Sequence, residues 1–104
     1  MRRPKRLQLS RAKGSRLPEG AIVVARPSRW GNPFRIGAPD PQTREPMSRD
    51  MAVGHYRAFI RAPEQEALRA AARRELKGKD LACWCPLDGP CHADELIAIA
   101  NEAG

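Results

Sequence analysis

Cys83, Cys85, Cys91 and His92 place three thiols and an imidazole within ten consecutive residues. Thiolate sulfur and imidazole nitrogen are the donors zinc takes in tetrahedral sites, so these four residues form a candidate zinc set. Their spacing, C-x-C and then x5-C-H, departs from the common C-x2-C knuckle. The neighbours Cys91 and His92 can reach one ion only if the backbone turns sharply between them. A second chemistry is open to the same residues. Cys91 or Cys85 could act as a thiolate nucleophile with His92 as its base, which requires only hydrogen-bond reach. A third reading needs no chemistry: buried cysteines pack as small hydrophobes, and a histidine can open a helix. Three cysteines cannot all pair within one chain, which argues against a disulfide scaffold and for a reduced, cytoplasmic protein.

The run Arg26-Pro27-Ser28-Arg29-Trp30-Gly31-Asn32-Pro33-Phe34 offers a different set of groups. Two prolines and a glycine restrict its backbone to few shapes. Arg26 and Arg29 are donors for an anion, Trp30 is a stacking surface, and Asn32 presents a donor and an acceptor side by side. These are the parts needed to hold a base, a sugar or a phosphate. Asn32 therefore joins Cys91 and His92 as a candidate catalytic group, and Cys85 joins Arg26, Arg29, Trp30 and Asn32 as a candidate ligand contact. The alternative is that Trp30 and Phe34 plug the core beneath a rigid turn. Two further polar residues read as structural: His55, off the apolar stripe of its helix, as a surface histidine, and Asp80 as a turn or cap residue.

The elements that must position these groups follow from apolar periodicity. Leu7 and Leu9 alternate with polar neighbours and allow a short strand. Ala21–Ala25 is a continuous apolar run, as expected of a strand covered on both faces. Residues 37–47, with three prolines and a glycine, form an aperiodic loop expected to be the most mobile segment. Ser48 or Asp50 caps a helix carrying Ala52, Tyr56, Phe59 and Ile60 at helical spacing, with Gly54 weakening it slightly. Pro63 opens a second helix with Leu68, Ala71, Ala72 and Leu76 inward and Gly78 as its stop. Asp80–Cys85 reads as a strand with Leu81, Cys83 and Cys85 on one face, and residues 86–90 as a tight loop. Cys91 or His92 then opens a last helix with Asp94 and Glu95 in its first turn and Leu96, Ile97, Ile99 and Ala100 inward. The order implies a small single-domain layered α/β fold, with a short, mostly parallel sheet and about three helices. In such folds a ligand sits beyond the carboxyl end of a strand and beside the next helix, which is where Cys85, Cys91 and His92 fall.

The chain has 104 residues and a formal net charge of +7. Residues 1–35 carry +9 of that charge and the remainder −2. A field of one sign in one third of the chain attracts phosphates on nucleic acid or on a small ligand. The excess of Arg over Lys, 15 to 4, is equally what a GC-rich coding bias produces. Residues 1–6 read as a flexible basic arm preceding a single domain over 7–104. No apolar run has the roughly 18–20 residues of a membrane span.

With these motifs in place, the chain resembles a family of phage and bacterial proteins known as the domain of unknown function 4326. Carrying the resemblance are Trp30-Gly31-Asn32-Pro33-Phe34, the helix around Tyr56, Gly78-Lys79-Asp80-Leu81, Cys83-Trp84-Cys85 and Cys91-His92-Ala93-Asp94. The resemblance implies no named reaction, but it does imply that both motif blocks belong to one site. The leading expectation is a protein that binds or processes a nucleotide or modified base between the Trp30–Phe34 loop and Cys85, Cys91 and His92. The alternative is a non-enzymatic nucleic-acid-binding module with structural zinc on Cys83, Cys85, Cys91 and His92. A third possibility is a small interaction protein whose cysteines only pack.

Overall fold

The computed structural model describes residues 4–10, 14, 16–26 and 28–102. Three short strands, β1 (Arg6–Gln8), β2 (Ile22–Val23) and β3 (Leu81–Cys83), form a parallel sheet in the order β1-β3-β2. The helices are α1 (Arg49–Arg61), α2 (Glu66–Glu75) and α3 (His92–Ala100). This is the small α/β architecture expected, with a wholly parallel sheet. Among the described residues no helix is long and apolar enough to cross a membrane.

The strand covered on both faces is β3, where Leu81, Ala82 and Cys83 are all buried. The expectation that Ala21–Ala25 would be that strand is corrected. Only Ile22 and Val23 pair, at the sheet edge, and Val23 is 42% exposed. Continuous apolar character marks burial but does not say which buried strand has a neighbour on each side. The strand expected over Asp80–Cys85 is also shorter, because Trp84 leaves the sheet.

Ser48 caps α1 by accepting the Met51 N–H at 3.2 Å, and the helix buries Ala52, Tyr56 and Ile60. It ends where Ala62 turns extended before Pro63, which opens one 3-10 turn ahead of α2. Arg69 of α2 donates to the Ile60 and Ala62 carbonyls, satisfying the frayed end of α1. Gly78, at φ +75°, reverses the chain into β3, a conformation that favours glycine. Behind the sheet, Tyr56, Ile60, Leu76, Leu81, Leu96 and Ile99 fill the centre of the core. Of the segment expected to be a basic arm, residues 1–3 lie outside the described residues. Lys5 donates its backbone N–H to buried Asp80, and Arg6 pairs with Leu81.

Residues 37–47 are tied down by backbone hydrogen bonds between the two ends of the loop and by one carboxylate. Asp40 accepts the N–H groups of Gln42 and Thr43 and receives a 2.6 Å hydrogen bond from His55 Nε2, against which Phe34 stacks. The hydrogen bond from His55, helped by the two backbone donors, lowers the Asp40 pKa from 3.8 to about 2. A carboxylate whose pKa falls on folding stabilises the fold above its unfolded value and loses that contribution as pH falls through the folded one. Asp40→Asn should therefore melt below the wild-type chain at neutral pH, with the gap closing between pH 3.8 and about 2. Melting both proteins across that range checks it, and a constant gap would mean that Asp40 acts through shape alone.

Candidate functional site

Beyond β3 the chain passes through exposed Trp84 to half-buried Cys85 and into the loop of residues 86–90. Arg49, at the start of α1, holds that loop. Its Nε donates to the Pro90 carbonyl at 2.6 Å, one terminal nitrogen donates to Asp88 at 3.0 Å, and the other donates to the Pro86 carbonyl. Gly89 lies so close that a β-carbon there would meet Arg49 Nη1 at 2.9 Å.

The loop delivers Cys91 as the N-cap of α3, extended at φ −149° and ψ 152°, with His92 as the first helical residue. That switch supplies the sharp turn the pair requires. Asp94 fixes it by accepting the Cys91 N–H at 3.2 Å while ion-pairing with Arg6 at 2.9 Å. The Sγ atoms of Cys83, Cys85 and Cys91 all lie within 4.8 Å of one another, and Cys83 and Cys85 are 3.8 Å apart. His92 Nδ1 lies 3.6 Å from Cys91 Sγ and 3.9 Å from Cys83 Sγ. The other ring nitrogen, Nε2, lies 2.8 Å from the Val24 carbonyl and donates to it. A neutral ring that donates from Nε2 turns the Nδ1 lone pair toward the thiols.

The shorter of these distances match the edges of a metal site. Bond lengths of about 2.3 Å to sulfur and 2.0–2.1 Å to nitrogen give tetrahedral edges of roughly 3.8 Å and 3.5 Å. The three cysteines could hold a metal ion, and His92, with its outer nitrogen braced on a carbonyl, stands beside two of them. Without a cation the thiols cannot all ionise side by side. Hydrogen bonds, from Cys91 first and then from His92, lower the Cys83 pKa to about 3 against the opposing effect of burial. Cys91 is pushed up because its S–H donates to the Cys83 sulfur, with burial adding to the rise. Burial likewise raises Cys85.

A cleft of about 340 Å³ opens over this cluster. Cys83, Cys85 and His92 line it, with Arg26, Asn32, Phe34, Arg35, Arg49 and Trp84 around them. The structure thus brings Arg26, Asn32, Cys83, Cys85 and His92 together at one cavity, while Cys91 is fully buried behind it. Trp30 and Arg29 do not line the cleft. Trp30 is 5% exposed in the core, its carbonyl accepts the Tyr56 hydroxyl, and Arg29 lies over its outer face in an ion pair with Glu75. Asn32 spends most of its amide on tying the loop to α1, donating to Ala52 O at 3.2 Å and accepting the Phe34 N–H at 2.8 Å. Gly31 is required beside it, since a β-carbon would sit 2.7 Å from Arg26 Cγ and 3.0 Å from the Arg26 backbone.

Sequence reasoning missed Trp84, Arg35 and Arg49 at the cleft. For Trp84 a signal existed: it stands at the carboxyl end of a strand, where ligands bind in folds of this kind. For Arg49 none existed, because its partners are carbonyls some forty residues away.

A family model described as a domain of unknown function (DUF4326) matches residues 7–102, and the chain belongs to that family. No curated protein and no solved structure matches it.

Proposed function

We propose that the chain binds a nucleotide or modified-base ligand in the cleft, over a zinc ion held by Cys83, Cys85, Cys91 and His92 Nδ1. One observation carries the reading: three cysteine sulfurs within 4.8 Å of one another, with His92 Nδ1 3.6 Å from one of them, lie beneath a cavity walled by arginines and aromatic rings. Trp84 and Phe34 are the stacking faces, and Arg35 takes the phosphate, with Arg26 beside it, one terminal nitrogen of which donates to the Asn32 carbonyl. Arg49 is committed to the 86–90 loop and Asn32 to the shape of its own loop. The cleft volume lies at the lower end of the usual range for small-ligand pockets, of about 300–1,000 Å³.

A small ligand is favoured over a polymer because the arginines that face the cysteines do so inside a cleft of small-ligand size, and two of the early basic residues are already paired. Arg6 is bound to Asp94 and Arg29 to Glu75. The test is to titrate the zinc-loaded chain with nucleoside monophosphates and, separately, with a short oligonucleotide. Saturable monophosphate binding is expected, weakened about tenfold by Arg35→Ala, which is about 1.4 kcal/mol. Oligonucleotide binding alone, with a steep salt dependence, would favour the nucleic-acid-binding module instead.

A further inference from the structure

Resting on the zinc reading above, we infer that Cys85 is an alkyl acceptor, taking an alkyl group from an alkylated phosphate ester bound in the cleft.

The three cysteines are not equivalent. Cys91 is fully buried and Cys83 is 6% exposed, whereas Cys85 is half-buried and lines the cleft. Three thiolates and a neutral imidazole on a divalent ion form an electron-rich set. Cys85, its most exposed sulfur at the cleft, is the nucleophile of that set.

In the transfer, the Cys85 sulfur lone pair attacks the alkyl carbon. An S–C bond forms as the C–O bond breaks, and the bonding electrons leave with the phosphate oxygen. A neutral phosphate triester becomes an anionic diester, and Cys85 becomes a thioether. No oxidant or proton donor is required, and each chain acts once. Arg26 and Arg35 line the same cleft, so the guanidinium charge acts on an oxygen that turns negative only during transfer. That is the kind of interaction that lowers a barrier rather than merely binding substrate.

The test uses the full zinc-loaded chain and a thymidine dinucleotide whose linking phosphate is methylated, supplied as both diastereomers. Peptide mass mapping, measurement of the released diester and metal analysis are run on one sample. The expected result is one methyl group on Cys85, an equal amount of diester, and about tenfold slower transfer in Arg35→Glu, the order of a single lost electrostatic contact. Zinc bound at one per chain with no methyl on Cys85, or with methyl spread over all three cysteines, would overturn the inference and leave the metal site standing. A chain that takes up no zinc would overturn both.

Discussion

Chelating the zinc proposed at the cysteine cluster, or replacing Cys91 with Ser, is expected to abolish the cooperative thermal transition. The four donors come from the end of β3, the segment after it and the first turn of α3, and His92 ties the cluster through Val24 to the end of β2. An ion there closes the joint between the sheet and its last helix. Sheet pairing alone is slight, since β2 has two residues and β1 and β3 three each. Structural zinc in small domains contributes an apparent 10–16 kcal/mol at neutral pH, against a total stability of roughly 5–15 kcal/mol. Removing it should leave little folded chain. Circular dichroism melts with and without chelator measure the effect. Adding zinc back should restore the transition in the wild-type chain and not in Cys91→Ser, whose hydroxyl is a poor zinc ligand. A chelated chain that melts as before would mean that the cysteines pack without a metal.

Local periodicity made much of this fold legible. Ala52, Tyr56 and Ile60 recur at helical spacing and are the residues α1 buries, and Ser48 caps the helix as its side chain allows. The Cys83–His92 cluster was legible because so little chain separates its members that no topology could place them far apart. The remainder depends on contacts that no local pattern encodes. Asp40 and His55 look like a loop acid and a surface histidine until the fold brings them within 2.6 Å. The middle strand of the sheet is set by the crossovers, so the more strand-like run at Ala21–Ala25 ended at an edge. Arg49 reads as an ordinary residue in a first helical turn, yet it carries the loop that spaces Cys85 from Cys91.

The two tryptophans should respond to truncation in opposite ways. Trp30 is 5% exposed and packs in the core cluster with its carbonyl on Tyr56, while Trp84 is 44% exposed at the cleft. Emptying a buried aromatic site costs about 3–5 kcal/mol, so Trp30→Ala should lower the melting temperature by roughly 15 °C or more in a domain of this size. Trp84→Ala removes a ring that is already wet, and its melting temperature should change by no more than about 0.5 kcal/mol implies. Ligand affinity should show the reverse. Stacking on an aromatic face is worth about 1–3 kcal/mol per base, so Trp84→Ala should weaken nucleotide binding about tenfold or more. Trp30→Phe, which refills most of the core, should leave binding nearly intact. If Trp30→Phe instead loses the ligand while Trp84→Ala keeps it, the Trp30–Phe34 loop swings its indole outward when it binds. The stacking surface would then be the one the sequence itself suggests.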